Sequence, residues 1–227
     1  MTSHPDKALH LPPSDPEQLD LILEALRLYI HIFWPSGESR DWNILVQDLL
    51  VLSRSLETIL PKPSQALKQS ANQLRKEPDP AQLSCKMESC FVKLFISHSR
   101  GIAAPLYHSC YQEPRGLLMR EPAREMGKLL DMAGLEPASC SREPADHLCI
   151  ELEYLFFLLS SLHESDDPDL HQFACEFAGD FMLPWIKRWT RAIPTDGEGI
   201  IFYQLAVLLV EILQLTRRVI QEKVQIS

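Results

Sequence analysis

The stretch EPADHLCIELEYLFFLLSSLHES, residues 143–165, decides the predicted fold. Its segment Leu148–Leu159 is apolar apart from Glu151 and Glu153, and a helix of this kind is buried by neighbours on most of its faces. The stretch opens with an acidic residue and Pro144, which suit the first turn of a helix. We therefore predict a central, mostly buried helix over the whole stretch.

Apolar residues recur at helical spacing on both sides of this central helix. Further helices are predicted over about residues 15–33, 41–60, 64–76, 81–96, 121–133, 167–182, 184–193 and 199–225. The chain has 17 prolines but only 8 glycines, which favours helices begun by proline over strands joined by glycine turns. No segment alternates with period two for long enough to predict a strand. The predicted fold class is all-α, a single globular body of about nine or more helices.

The predicted domain organisation is a leader, two helical parts and a loop, packed as one domain. Residues 1–14 are predicted to be a disordered leader, residues 15–96 an N-terminal helical part and residues 121–227 a C-terminal helical part. Between them, residues 97–120 form a loop or hinge without clear periodicity. Long irregular loops inside compact domains are often functional, so this loop is a candidate part of a binding site.

Composition and charge narrow the class of partner. Hydrophobic residues make up 45% and charged residues 23% of the 227, which is ordinary globular usage and excludes a disordered chain. The 22 basic residues against 31 acidic residues give a net charge of −9. An acidic surface repels phosphate backbones, so we expect no nucleic-acid partner. The same surface would suit a cationic partner.

The apolar stretches predict a cytoplasmic protein without a membrane span. The first residues, MTSHPDKALHLPPSDPEQ, have no basic start followed by an apolar run, so we expect no secretory signal. The longest charge-free apolar stretch, Gly199–Val210, has 12 residues, whereas a bilayer needs roughly 20. The 6 cysteines form no CxxC pair, and in a reducing compartment we expect mostly buried thiols.

The sequence lacks the common catalytic motifs. It contains no GxxxxGK[ST] phosphate loop, no GxGxxG after a strand, no GxSxG elbow and no HExxH helix. His98, His108 and Cys110 share one loop, and Cys85 and Cys90 precede it, but these spacings are not those of a zinc finger. A metal-binding helical sensor that uses these residues stays an open alternative, which elemental analysis would test.

The residues Glu143, Pro144, Asp146 and His147 stand before the hydrophobic helix and allow two interpretations. One is capping, in which both carboxylates lie near the positive end of the helix dipole. The other is a binding site at a rim, where an ionisable ring beside an acid grips a cationic peptide or holds a hydrogen-bond network. A nucleotide-binding enzyme with Asp146 and His147 as its acid–base pair is a further alternative, although adjacent helical residues point to different faces.

This constellation and four other motifs resemble the TorD/DmsD/NarJ family of cytosolic chaperones for molybdenum-cofactor oxidoreductases. Glu-Pro-x-Asp-His before an apolar helix is similar to the family's signature. The other similar motifs are Pro105-Leu-Tyr107-His-Ser109-Cys-Tyr111, Glu121-Pro122 through Ala133-Gly134-Leu135, Leu183-Pro184-Trp185, and Phe202-Tyr203 with Leu205. The resemblance spans about residues 80–215, and within it His108 and Cys110 depart from the residues common in relatives.

The resemblance implies an all-helical, TorD-like chaperone rather than an enzyme. Such a protein binds the signal peptide or N-terminal region of an apo-molybdoenzyme catalytic subunit and holds it in the cytoplasm. Insertion of molybdopterin guanine dinucleotide then precedes export or membrane attachment. No cofactor is expected to stay bound, although this cofactor or GTP could bind transiently. We expect a monomer or a domain-swapped dimer, with the proline-rich residues 61–80 as a hinge.

The resemblance also implies where the peptide binds. Glu143 and Asp146 at a groove rim would pair with the arginines of a twin-arginine signal peptide. Aromatic side chains would line an apolar slot for the hydrophobic part of that peptide, with core packing as the alternative for each. The expected peptide-binding residues are Glu143, Pro144, Asp146, His147, Tyr107, Tyr111, Phe95 and Trp185.

Overall fold

The computed structural model describes residues 15–34, 40–99, 101–112, 121–135, 143–162, 165 and 167–226. The predicted leader, residues 1–14, lies outside these ranges, as does the second part of the predicted loop, residues 113–120. The helices are α1 Asp15–Phe33, α2 Trp42–Ser55, α3 Pro61–Leu74, α4 Pro80–Phe91, α5 Glu121–Met132, α6 Leu148–Ser161, α7 Pro168–Glu176, α8 Leu183–Ala192 and α9 Ile200–Ile226. The part of the chain that the structure describes has no strand, and the predicted all-α class is confirmed.

Shorter helical turns connect or extend these helices. Val92–Ile96 and Phe177–Met182 are π-helical turns, and His108–Tyr111 and Gly197–Gly199 are 3₁₀ turns. The turn Phe177–Met182 joins α7 to α8 without a break, so residues 168–192 form one continuous helical segment. Wide turns of this type occur often at functional sites.

Helix starts follow from local capping chemistry. Asp41 accepts hydrogen bonds from the backbone N–H groups of the first turn of α2. Asp79 and Asp167 do the same for α4 and α7, and in both helices a proline fills the first position. Each cap of this type is worth about 1 kcal/mol, and the missing N–H of proline costs nothing there.

The start of the central helix differs from the prediction. Helix α6 begins at Leu148, and His147 is its N-cap. Pro144 therefore does not lie in its first turn, which the sequence analysis expected. The physical reason is competition from the loop, because the backbone N–H of His108 donates to Asp146 and that of Leu148 donates to Leu106. These bonds hold His147 in an extended conformation, and residues 144–147 before α6 form a turn in which the backbone N–H of His147 donates to the carbonyl of Pro144.

Two other helix boundaries differ from the prediction for local reasons. Helix α3 begins at Pro61 rather than residue 64, because prolines in a first turn need no partner for an N–H group. The predicted hinge over residues 61–80 is therefore mostly helix, and α3 packs on α2 and α9. Helix α2 ends at Ser55 rather than near residue 60, and a turn follows it.

An aromatic cluster joins the helices at the centre of the molecule. The rings of Phe33, Phe91, Phe95, Trp189 and Phe202 come from α1, from α4 and its π-helical turn, from α8 and from α9. Their centroids lie 5.1 to 6.4 Å apart, which is the range of favourable ring contacts. All five side chains are at most 2% exposed. We call this set the aromatic core.

The two predicted helical parts contact each other. Helix α1 packs on α6, and α3 packs on α9. The boundaries proposed for the two parts stay a prediction. Helix α9 also contains the segment Ile200–Glu222, whose 23 residues suffice by length and composition to cross a membrane. However, 56% of its apolar window is buried against other helices, as in the core helix of a soluble protein.

Candidate functional site

The predicted signature lies where the loop meets α6. Tyr107 and His147 pair as a single antiparallel bridge. Backbone N–H groups donate from His108 to Asp146 at 3.0 Å and from Leu148 to Leu106 at 2.8 Å. The structure thus brings four of the expected residues, Tyr107, Glu143, Asp146 and His147, into one place. We call this place the polar junction.

The side chain of Asp146 is fully buried in the polar junction. Its Oδ2 accepts a hydrogen bond from the backbone N–H of Ser109 at 2.8 Å and a second one from the hydroxyl of Ser109. The expectation that Asp146 stands at a groove rim is therefore wrong for this structure. A carboxylate held in this way fixes the start of the 3₁₀ turn that begins at His108.

Glu143 and Tyr107 form the more accessible side of the polar junction. The hydroxyl of Tyr107 donates to Oε2 of Glu143 at 2.6 Å, and both residues are half-buried. Burial raises the pKa of the Tyr107 hydroxyl, and the hydrogen bond to Glu143 adds to this effect. Pro144 is half-buried next to them. Of the two acids expected at the rim, only Glu143 has access to solvent.

His147 is buried as the cap of α6. Its Nδ1 accepts from the backbone N–H of Cys149 at 3.2 Å, and its ring packs edge-on against Tyr107 and Trp34. Burial lowers the pKa of His147 to about 4, so its ring is neutral near pH 7. The side chains of Asp146 and His147 bind different partners, Ser109 and the backbone N–H of Cys149. This geometry disfavours the interpretation as an acid–base pair.

A second buried network lies beside the polar junction. Nδ1 of His108 is 3.0 Å from Oε1 of Glu151, and Nε1 of Trp185 donates to Oε2 of the same carboxyl at 2.8 Å. Burial raises the pKa of Glu151 and lowers that of His108 to about 4. Burial therefore favours the neutral form of both groups, and the contact between His108 Nδ1 and Glu151 Oε1 joins them. These two partners explain how the carboxyl of Glu151 is accommodated on the buried side of the largely apolar helix α6.

The four expected aromatic residues do not form one slot. Phe95 belongs to the aromatic core and is 2% exposed. Trp185 is 1% exposed and stacks on His108 and Tyr111, with centroids 5.2 and 5.8 Å apart. The Tyr111 hydroxyl donates to the Pro105 carbonyl at 2.8 Å, and burial raises its pKa. The prediction of one apolar slot is therefore wrong. Of the four aromatic residues, only Trp185 lines the groove that is described next.

A groove of about 710 Å³ runs along the continuous segment 168–192. Its floor is an aromatic stripe at helical spacing, and its opposite wall comes from α5 and the 3₁₀ turn. The floor residues are Phe173, Phe177, Phe181, Pro184 and Trp185. The wall residues are His108, Gln112, Glu125 and Leu129. Glu176, Asp180 and Arg188 complete the lining, so that together with Glu125 the groove carries three acidic residues and one arginine. We call it the α5–α8 groove.

The charged side chains of the α5–α8 groove are accessible. Glu125, Glu176, Asp180 and Arg188 are all exposed. Arg188 donates to the backbone carbonyl of Tyr111 at 2.5 Å, which ties the groove floor to the loop. This surface therefore offers carboxylates beside aromatic rings, which is the chemistry that the sequence analysis expected at Glu143 and Asp146.

Gly179 lies in the π-helical turn next to the side chain of Arg217. A Cβ atom at this position would lie 2.2 Å from Cδ of Arg217, so a larger residue would require that side chain to move from its place over the π-helical turn. Nη1 of Arg217 lies 3.5 Å from Oδ1 of Asp180. The carboxylate of Asp180 is 67% exposed and stays open to water on the groove side.

Like Glu125, the groove acids Glu176 and Asp180 are not among the site residues predicted from the sequence motifs. Their signal was present in the segment 173–185, FACEFAGDFMLPW, where aromatic residues recur every four positions and acids stand beside them. Dividing this segment into two helices at Pro184 hid the continuous stripe. Glu125 lines the same groove as these acids only because of the tertiary placement of α5, which the sequence does not show.

The residues of the metal-sensor alternative are dispersed. Cys85 and His98 are exposed, Cys110 is half-buried, and His108 is bonded to Glu151 inside the protein. Among the residues that the structure describes, no group of three or more histidine, cysteine or acidic side chains is arranged to hold a metal ion.

A family profile and the sequences of known proteins assign this chain to the same family. A family profile described as nitrate reductase delta subunit matches residues 57–191, more than half of the chain. The chaperone protein TorD of Photobacterium profundum is 32% identical over 162 residues, covering 69% of this chain and 72% of the relative. TorD of Aliivibrio salmonicida is 30% identical over 160 residues, covering 69% of each chain.

One solved structure is also similar. A crystal structure assigned as a redox enzyme maturation protein from Archaeoglobus fulgidus has 18% identity and a TM-score of 0.49, covering 92% of this chain and 99% of that chain.

The all-α fold and the sequence relatives define a class of helical chaperones. Within that class, the chain belongs to the nitrate reductase delta subunit family, which is the NarJ/TorD family. The family resemblance drawn from the sequence motifs is confirmed, and with it the role as a chaperone in molybdoenzyme maturation.

Proposed function

We propose that this chain is a cytoplasmic chaperone, not an enzyme, that binds the N-terminal region or signal peptide of an apo-molybdoenzyme catalytic subunit in the α5–α8 groove. The observation that carries the proposal is the combination of an aromatic floor with three exposed acids on one groove. A twin-arginine signal peptide has the complementary chemistry, because a cationic patch precedes an apolar stretch that forms a helix.

The aromatic floor supplies most of the binding free energy in this proposal. Aromatic residues in grooves are the commonest anchors of bound peptides, whereas an exposed ion pair contributes only about 0.2 to 1 kcal/mol. Phe173 and Phe181 are half-buried, so their rings have free surface to cover. Glu176 and Asp180 would then select segments that carry arginine and repel acidic ones.

The polar junction affects this groove indirectly, because it positions residues that line the groove. Asp146 holds Ser109, and the His108–Glu151–Trp185 network fixes one wall of the groove to its floor. We therefore expect Asp146→Ala and His147→Ala to weaken the complex without removing a direct contact. Glu143 stays a candidate for direct contact with a cationic residue.

Charge reversal in the groove tests the function. The measurement is the affinity of the purified chain for a synthetic twin-arginine signal peptide by isothermal titration calorimetry. Asp180→Lys should weaken binding about tenfold, because it removes one attraction and adds a repulsion that together approach 1.4 kcal/mol. Glu24→Lys, on the exposed face of α1 and outside the groove lining, makes the same charge change and should leave the affinity unaltered.

Two results would contradict the function. One is the absence of binding by the unmodified chain to the signal peptides of all molybdoenzymes encoded beside it. The other is an equal loss in Asp180→Lys and Glu24→Lys, which would mean that only the overall charge matters.

The remaining expectations about ligands stay predictions. Transient binding of molybdopterin guanine dinucleotide or GTP, and the choice between a monomer and a domain-swapped dimer, are of this kind. Elemental analysis of untagged protein and a nucleotide turnover assay test the metal-sensor and enzyme alternatives, and a positive result in either would replace the chaperone proposal for this site.

A further inference from the structure

The charges of the α5–α8 groove are separated along its length. Glu176 and Asp180 lie on the first part of the segment 168–192, and Arg188 lies near its end. From residue 176 to residue 188 a helix rises roughly 18 Å, at 1.5 Å per residue. Along this segment the charges therefore run from acidic to basic, while Glu125 on the α5 wall is a third acid, close to His108.

The aromatic rings occupy the space between the acidic and the basic residues of this segment. Phe177, Phe181 and Trp185 fall between Glu176 and Arg188 in sequence and share the same groove. Phe177 and Phe181 stack with centroids 5.0 Å apart, and Phe181 is half-buried, whereas Phe177 and Trp185 are only 2% and 1% exposed. The order along the groove is thus acid, aromatic, base.

We propose that the α5–α8 groove fixes the direction of the bound segment, with its basic amino-terminal end over Glu176 and Asp180, its apolar part over the half-buried ring of Phe181, and its carboxyl-terminal end at Arg188. The bound segment then runs parallel to the direction from α7 to α8. This inference rests on the proposed function and adds the orientation and the specificity residue Arg188.

Helix electrostatics favours this direction. A bound segment that forms a helix carries a partial positive charge at its amino end and a partial negative charge at its carboxyl end. In the proposed direction the amino end faces two carboxylates and the carboxyl end faces a guanidinium. In the reverse direction both ends, and the arginines of the segment, meet charges of their own sign.

Arg188 is equipped to hold a carboxyl end. One of its N–H groups donates to the Tyr111 carbonyl, and a guanidinium has five such donors, so others can bind an acceptor in the groove. The amide side chain of Gln112 lines the groove next to this position. The preferred cargo segment therefore has arginines, then an apolar run, and then an acidic residue or the free carbonyl groups of a helix end.

Two peptides of identical composition test the direction. The forward peptide has two arginines, an apolar run and a final aspartate, about 15 residues that span roughly 22 Å as a helix. The reverse peptide has the same residues in the opposite order, and both are blocked at their ends. We expect the forward peptide to bind about tenfold more tightly to the full chain, which corresponds to 1.4 kcal/mol.

A charge exchange identifies Arg188 as the specificity residue. Arg188→Glu should weaken the forward peptide about tenfold, and changing the final aspartate of the peptide to lysine should restore most of that loss. Arg191→Glu, one turn further along α8 and outside the groove lining, is the matched control and should show neither effect. Arg188→Gln keeps a polar side chain and should give an intermediate loss if charge is the cause.

The outcomes separate the direction from the function. Equal binding of both peptides, or no recovery with the lysine peptide, overturns the proposed direction and leaves the chaperone function in place. No binding of either peptide, together with no binding of a natural signal peptide, overturns both. Tighter binding of the forward peptide with recovery only at Arg188 supports both.

Discussion

The aromatic core and the buried half of the polar junction, Asp146 and His147, are both closed to water, but they hold the chain together by different means. The core has five rings from several helices and gains stability from apolar area and ring contacts. The junction buries a carboxylate and an imidazole, which cost free energy unless each finds a partner. Oδ2 of Asp146 finds its partner in Ser109 and Nδ1 of His147 in the backbone of α6, whereas Oδ1 of Asp146 is buried without a hydrogen-bond partner among the described residues.

This difference shows that the aromatic core mainly stabilises the fold, whereas the polar junction mainly positions the loop. An aromatic core joins helices without specifying the path of a loop, because apolar contacts are not directional. Hydrogen bonds are directional, so the polar junction fixes one loop conformation and with it the wall of the α5–α8 groove. Changes in the core should therefore alter mainly stability, and changes in the junction should alter both stability and binding.

Phe95→Ala should cause the largest loss of stability. The ring of Phe95 contacts four others, and removal of a fully buried phenylalanine costs about 3 to 5 kcal/mol. Urea unfolding measures this loss, and peptide affinity of the folded fraction should be unchanged. Phe157→Ala is the matched control, because Phe157 is 37% exposed and should lose less than about 1 kcal/mol. Equal losses at the two positions would contradict the assignment of the core.

Asp146→Ala should lose about 3 kcal/mol of unfolding free energy. It leaves the buried N–H and hydroxyl of Ser109 without their carboxylate acceptor, and each such loss costs about 1 to 3 kcal/mol. Asp146→Asn keeps an acceptor oxygen and should lose roughly half as much. In contrast to the core variant, Asp146→Ala should also weaken peptide binding. A loss of stability without any loss of affinity would separate the junction from the groove.

The polar junction should make stability depend on pH in the acidic range. The pKa of His147 is about 4 in the folded chain and 6.5 when exposed, so the unfolded state takes up the proton first as the pH falls. Stability is therefore complete above pH 6.5 and is lost toward pH 4, by about 2 to 3 kcal/mol from this residue.

His147→Asn isolates this contribution. Asparagine is a good N-cap but does not titrate, so the variant should lose less stability than the unmodified chain between pH 6.5 and pH 4. His108 has a similarly lowered pKa in both proteins, so the comparison leaves its effect constant. Parallel curves of unfolding free energy against pH for the two proteins would show that His147 is not buried as a neutral ring.

Tyr107→Phe should give the smallest effect. The hydrogen bond from Tyr107 to Glu143 is half-buried, and its loss costs about 1 kcal/mol. A double-mutant cycle with Glu143→Ala measures the coupling between the two side chains. A coupling free energy near zero would mean that this accessible side of the polar junction adds nothing to its stability.

Much of the fold could be predicted from the sequence, because helix formation depends largely on residues that are close in sequence. Examples are the apolar period of residues 15–33 and the apolar content of residues 148–159. The start of α6 does not, since the loop competes for the backbone groups that a helix beginning at Glu143 would use. The groove could be predicted only in part. Its aromatic stripe is visible in the sequence, but the approach of Glu125 depends on how α5 packs.

Site-specific photocrosslinking in cells tests the central claim most directly. A photoreactive benzoylphenylalanine replaces either Phe173 in the groove or Phe157 on α6 outside it, with the apo-molybdoenzyme subunit co-expressed. We predict that the probe at Phe173 forms an adduct with the N-terminal region of that subunit and that the probe at Phe157 does not. Equal adducts at both positions, or adducts that map only to other parts of the subunit, would contradict the account.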